Sequence, residues 1–247
     1  MASSLTLFNT YFLLAREVDY SGPKDTPIYQ TDGALIAMAP RAFVADLCVE
    51  GSGQLADGRI VNFSGSCSYG PPCLTGGQIC YRELDRDAYP WGRGHGATPL
   101  RPLRSLAVDP HVIPFGSYVY IPRWKGVRIP SIDGIGGFIH DGCFRADDSG
   151  GWIVPRPGDP PGLSHIDIFA GTRAMHRALE AIFPTRSVFE ATIDTVSCEQ
   201  AQSAATRGIP TGAVLIGAAV LGIGVWWAVR RDLITELRPK ISRLHGR

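Results

Sequence analysis

Short apolar runs, each cut off by glycine or proline, limit what this chain can fold into. It holds 29 glycines and 19 prolines in 247 residues, and the stretches between them are rich in β-branched and aromatic side chains. Runs of that length and composition read as strands, because helices need longer periodic segments. Strands are expected over residues 5–16, 34–39, 42–49, 59–63, 105–108, 118–121, 137–140, 152–154 and 165–169, with a last one in "SVFEATIDTV", 187–196. One helix is expected over 172–183, where Ala174, Met175, Ala178, Leu179 and Ile182 form an apolar face and Pro184 stops it. Many short strands with Gly/Pro turns favour a closed barrel over an α/β sheet. The expected fold class is mainly β, a β-barrel with one short α-helix. No GxGxxG follows a strand and no Walker loop occurs, so nucleotide binding has no support.

The formal net charge is +1 and no basic block occurs, which argues against a nucleic-acid partner. A 45% hydrophobic content suffices for one sizeable domain, and no internal repeat divides it. Six cysteines are present (Cys48, Cys67, Cys73, Cys80, Cys143 and Cys198), none in a CxxC pair, so the usual zinc spacings are missing. Three of them crowd a loop-like stretch, "GSCSYGPPCLTGGQICY", which has little apolar content to order it. Disulfides are the expected reading, with an oxidising compartment, and their connectivity stays open.

Near the end, "GAVLIGAAVLGIGVWWAV" (212–229) is uncharged for 18 residues and is followed by Arg230 and Arg231. As a helix it would span about 27 Å, close to the hydrocarbon core of a bilayer. The Trp226–Trp227 pair suits the interface and the arginines suit the cytoplasmic side. A C-terminal transmembrane helix is therefore expected at 212–229, after a linker at 197–211 and before a basic tail at 230–247. The N-terminus has no basic start, and Asn9 and Thr10 break its apolar stretch, so it reads as a first strand rather than a signal peptide. The expected location is a membrane-anchored domain outside the cytoplasm. Tail-anchored insertion and assembly into a virus particle both fit.

Aspartates stand beside the strand-like runs: Asp109 in "AVDPHVIPFGSYVYIP", Asp148 in "ADDSGG" and Asp167 in "HIDIFAG". An aspartate at a strand end is ordinarily a turn residue. If a barrel gathers these ends, however, the carboxylates share a cleft at its mouth. Repulsion and partial desolvation then raise at least one pKa. A carboxylic acid kept protonated near neutral pH is what glycosidic bond cleavage requires.

These motifs, with "EGSGQLADGRIVNF" upstream, resemble the three-aspartate domain of the membrane-bound lytic transglycosylase A family, over roughly residues 43–183. The resemblance implies a double-psi β-barrel at 1–196, with the three motifs at about 104–171 and a cysteine-rich insertion at about 64–99. It implies cleavage of the β-1,4 bond between N-acetylmuramic acid and N-acetylglucosamine, with peptidoglycan glycan strands as the partner and no cofactor or metal. Asp167 matches the family's acid/base. It would protonate the glycosidic oxygen and then take the proton of the sugar's 6-hydroxyl as the 1,6-anhydro ring closes. Asp148 would orient the site, while Asp109 would be largely structural. Gly150 and Gly151 would let the backbone approach the sugar, Trp152 would stack on it, and His165 would flank the acid. The family's D-x-GG loop is shorter than the stretch here, which contains "VPRPGDPPGLS", and the C-terminal anchor has no counterpart.

Other residues have plainer readings. His140, His165 and Asp167 lack a clearly spaced third ligand for a metal. Trp91 and Trp124 read as packing, and Asp147 and Asp159 as solvated loop charges. Two other functions remain open: an expansin-like barrel that binds glycan without cleaving it, and a structural component of a virion or secretion machine. Membrane or virion assembly partners would accompany the latter.

Overall fold

The computed structural model describes residues 3–74, 76–151, 153, 159–193 and 198. Its first strands are β1 (Ser3–Leu13), β2 (Ala15–Arg16), β3 (Thr26–Tyr29) and β4 (Leu35–Ala39), followed by helix α1 (Arg41–Glu50). Then come β5 (Ser52–Gln54), β6 (Ile60–Ser66), β7 (Ile79–Leu84), β8 (Ser105–Val108), β9 (Tyr118–Tyr120) and β10 (Cys143–Asp148). The described part ends with β11 (Ser164–Gly171), helix α2 (Arg173–Ile182) and β12 (Val188–Ile193).

Strands β1-β11-β8-β10-β9-β12 close into a six-stranded barrel. Two of its pairings are parallel, β1 with β11 and β8 with β10; the others are antiparallel. Side chains alternate along each strand, so Leu106, Val108, Ile166, Ile168, Phe144 and Ala146 fill the barrel. Their outward neighbours Ala107 and Phe169, with Phe12 of β1, join a separate cluster containing Ile60 of the second sheet. That sheet, in the order β2-β5-β6-β7, lies against the outer face of the barrel. A third cluster, with Phe43, Val44 and Leu47 of α1, Val61 and Tyr81, sits beneath α1.

The barrel and the strands at 105–108, 118–121 and 165–169 agree with the sequence reading, but the described residues hold two short α-helices where one was expected. Residues 42–49, expected as a strand, are helix α1. The reason is legible afterwards. Phe43, Val44 and Leu47 are buried at i, i+1 and i+4, one helical face. Pro40 precedes the first turn, and Gly51 closes the last in the left-handed region (φ 77°), its N–H donating to Leu47 O. Gly53 lets this helix seat itself, since a Cβ there would lie 2.8 Å from Leu47 Cδ1. The strand expected at 137–140 is only an isolated bridge, Arg128 to Ile139. Gly134, Gly136 and Gly137 all adopt positive φ in this stretch, and a Cβ on Gly136 would lie 2.0 Å from Pro130 O. A continuous ladder cannot pass through such a turn. Helix α2 follows the expectation, with Thr172 as N-cap accepting from Met175 N.

The cysteine-rich stretch is not a loop held only by bridges: β6 and β7 pair through it. Cys67–Cys80 crosses this hairpin, Cys48–Cys73 ties it to α1, and Cys143–Cys198 ties β10 to the segment beyond β12. All six cysteines are bonded, as expected. Among the described residues no helix is long and apolar enough to cross a membrane. The run at 212–229, the tail, nearly all of the 197–211 linker, Trp152 and most of the 152–154 strand lie outside the described residues.

Candidate functional site

The register places four residues in one row across the barrel's outer face. Thr10 of β1 pairs with Asp167 of β11, Asp167 with Ala107 of β8, and Ala107 with Asp148 of β10. Ala107, the smallest of the four, separates the two aspartates by two strand spacings, about 10 Å between Cα atoms. Asp167 is thus not at a strand tip or the barrel mouth but in the middle of β11. Alternation turns it outward because Ile166 and Ile168 turn inward. Asp148 ends β10, where a bulge between Ala146 and Asp148 brings it into the row.

Both aspartates are half-buried. Thr10 Oγ1 donates to Asp167 Oδ1 at 2.8 Å and lies 2.7 Å from His165 Nε2. A hydroxyl has one proton to give, so while Thr10 donates to the Asp167 carboxylate, the tautomer of His165 protonated at Nε2 donates to Thr10. The result is a relay, His165 to Thr10 to Asp167, that uses one carboxyl oxygen and leaves the other. His165 itself is stacked on Phe8, with ring centroids 4.5 Å apart. The histidine therefore reaches the acid through a threonine. Burial pushes the Asp167 carboxyl up to about 7, against the opposing pull of the Thr10 hydrogen bond. Asp148 also rises to about 7, mainly through burial, with the Ser149 N–H pulling the other way and Asp147 and Asp167 adding repulsion. Among the described residues no Lys, Arg or His pairs with either carboxylate.

The remaining expected residues are placed differently. Asp109 lies one residue past β8 and accepts from His111 N (2.9 Å) in its own turn, a plain turn role. Gly150 and Gly151 are exposed, and among the described residues nothing lies within 4 Å of where a Cβ would stand. Asp147 is not a solvated loop charge. It is 3% exposed, accepting from Ser105 Oγ and Arg145 Nη1 at 2.6 Å each. Asp159 is mostly buried too and lies 3.7 Å from Arg186. His140 is buried in the core between Trp124 and Phe144. Its Nδ1 accepts from Gly142 N while Nε2 faces Leu103 O, and burial lowers its pKa to about 4, so it is a neutral structural residue. Trp124 is fully buried and Trp91 partly so. Among the described residues no group of three or more His, Cys, Asp or Glu could hold a metal ion.

Two residues escaped the sequence reading. Thr10 stood out only as a polar interruption of an apolar run, and that was its signal. Glu50, the last residue of α1, is half-buried and accepts from Leu13 N at 2.7 Å. Burial, opposed by that hydrogen bond and reinforced by Asp167 and Asp46, pushes it up to about 8.

No family model and no curated protein matches the chain. Among solved structures, the chain is similar to MltA of Escherichia coli with bound chitohexaose, at 14% identity and a TM-score of 0.48, covering 77% of this chain and 71% of that one. It is also similar to the membrane-bound lytic murein transglycosylase of Agrobacterium tumefaciens (15% identity, TM-score 0.47, 80% and 75% covered). A third is the lytic transglycosylase LtgG of Burkholderia pseudomallei (18%, 0.37, 76% and 70%).

Proposed function

We propose that this protein is a peptidoglycan lytic transglycosylase, with Asp167 acting first as acid and then as base. The carrying observation is the carboxyl of Asp167. It is half-buried, held at one oxygen by Thr10, and raised to about 7 by burial. Such a group holds a proton near neutral pH and can give it to a leaving oxygen. The C–O bond then breaks as the proton arrives, and the 6-hydroxyl oxygen of the same sugar attacks the anomeric carbon. Its proton returns to Asp167, which is restored. No water enters, so a second nucleophilic or basic carboxylate is not required.

The substrate class comes from the motif resemblance. Asp148 lies in the same row, where the charge of an ionised Asp167 opposes its own ionisation. Gly150 and Gly151 leave open surface beside the row, with Trp152 next in sequence, and Asp109 shapes the turn. The closed barrel with two parallel pairings is compatible with the double-psi assignment. The three disulfides fit a domain outside the cytoplasm, and the uncharged run at 212–229 would anchor it as a single pass.

The test is to incubate purified murein with the full-length chain in detergent and identify the products by mass spectrometry. The expected products carry 1,6-anhydromuramoyl ends. Products with reducing ends only would make the enzyme a hydrolase. Retention of glycan with no cleavage, by a folded and fully oxidised protein, would establish the non-cleaving alternative.

A further inference from the structure

A cavity of about 530 Å³, lined by none of the row residues, opens beside α1. One stripe of that helix, Arg41, Val44 and Cys48 at i, i+3 and i+7, forms its first wall. Ile79 and Tyr81, alternate residues of β7, form a second. Pro71 and Pro72 form a third, which is fastened on both sides. Gly70 lies against β7, where a Cβ would stand 2.5 Å from Ile79 O. Pro72 bridges Gln78, and Cys73 is bonded to Cys48 of α1. The cavity is therefore preformed, and its volume falls in the range of small-ligand sites.

Tyr81 is the polar group inside it. The residue is 2% exposed, and among the described residues nothing hydrogen-bonds its hydroxyl. Burial alone raises its pKa, with no hydrogen bond entering the balance. Yet this hydroxyl is not among the side-chain atoms sealed from solvent without a partner, so the cavity is what reaches it. A buried hydroxyl left unpaired is costly, and a ligand that satisfies it gains accordingly. Asp25 and Arg41 stand at the rim, both exposed. Asp25 accepts from the adjacent Thr26 Oγ1 at 3.1 Å. Among the described residues neither charge forms an ion pair, with the other or with any third group. Their nearest neighbours in sequence are already engaged, Lys24 with Glu17 and Asp46 with Arg173. Opposite charges held apart over apolar walls and one unpaired hydroxyl match the two ends, body and backbone of a zwitterion. A fatty acid lacks the groups that Asp25 and Tyr81 call for, and a neutral sugar lacks the charges.

We propose that this cavity binds a short peptide of small apolar residues with free termini. Its carboxylate meets Arg41, its ammonium meets Asp25 and a backbone amide meets the Tyr81 hydroxyl, while its side chains rest on Pro71, Pro72 and Ile79. The site is independent of the glycan-cleaving reading.

The experiment titrates trialanine into the full-length chain in detergent, carrying ¹³C-labelled tyrosine. It follows the Tyr81 ring signal, assigned by its loss in Tyr81→Phe. A ligand of that size should bind with a Kd on the order of 0.1–1 mM. Arg41→Gln should weaken binding about fivefold, the upper worth of an exposed ion pair. Trialanine amide should bind wild type about as weakly, with no further loss in Arg41→Gln. Acetyl-trialanine and Asp25→Asn should repeat that pattern at the other end. Tyr81→Phe should leave the melting temperature of the free protein unchanged or raised, because no protein group loses a partner. A Tyr81 ring that does not respond to about 10 mM trialanine, well above that Kd range, would overturn the proposal. Equal binding of trialanine and its amide would do the same. A melting temperature lowered by several degrees in Tyr81→Phe would show the hydroxyl partnered within the protein, and that too would overturn it. If wild type cleaves no murein, the functional reading falls while the titrations still decide the cavity.

Discussion

On β10, Asp147 and Asp148 are consecutive residues, yet one belongs to the scaffold and the other to the site. Asp147 is buried and saturated, with Ser105 on one oxygen and Arg145 on the other. Asp148, displaced by the bulge into the row with Ala107 and Asp167, is half-buried, and among the described residues no Lys, Arg or His forms an ion pair with it. The same contrast separates Asp46 from Glu50 on α1. Asp46 takes Arg173 Nη2 at 2.6 Å, whereas among the described residues no Lys, Arg or His forms an ion pair with Glu50, Asp148 or Asp167. An ion pair favours the charged form, and burial without one favours the acid. Burial is thus the main reason these three carboxyls are raised.

The contrast breaks most directly at Asp167. Asp167→Asn keeps volume and the capacity to accept from Thr10 but loses the transferable proton. Murein turnover should fall by roughly 10²–10⁴-fold, the usual worth of general acid–base catalysis, while glycan binding persists. Near-normal turnover would remove the acid from β11. The opposite signature belongs to Asp147→Ala, which strands Arg145 and Ser105. It should cost about 2–3 kcal/mol by denaturant melt, less than a fully buried pair because about a third of Arg145 stays in water. Loss of activity there should track loss of fold.

Asp148→Asn should separate the two aspartates of β10 on one plot. Turnover falls roughly tenfold, about 1.4 kcal/mol of transition-state stabilisation, with the melting temperature unchanged or raised. If Asp148→Asn unfolds the protein instead, the distinction between the two neighbours fails. The smallest effect is on stability against pH. Asp148, Asp167 and Glu50 have folded pKa values of about 7, 7 and 8, above their ordinary ones. Raised carboxyls bind more protons folded than unfolded, so their contribution is fully present below about pH 4 and is lost as pH rises through 7 to 8. Melting temperature should therefore decline from pH 5 to pH 8 at constant ionic strength. Asp167→Asn should flatten the decline and raise the pH 8 value by about 2–4 °C, the equivalent of about 1 kcal/mol in a domain of this size. A profile that rises over that range would contradict the assignment of unpaired carboxyls.

Much of this was legible in one dimension. The alternation in "HIDIFAG" made β11 a strand with Asp167 opposite Ile166 and Ile168, and "ADDSGG" and "AVDP" marked the other aspartates. Crowded cysteines without zinc spacing pointed to disulfides, and Thr172 and Pro184 bracketed α2. These are local signals, decided by periodicity, capping and turn chemistry within a few residues. Tertiary structure decided the rest, because each remaining fact depends on which strands pair and in what register. Only the β1–β11 pairing puts Thr10 beside Asp167, and only the β10 bulge tells Asp148 from Asp147. Only the packing of α1 shows that 42–49 is helical and brings Glu50 to β1. A carboxyl's proton affinity depends on burial and on charges across space, so the sequence could nominate the aspartates but the fold had to choose which of them would stay protonated.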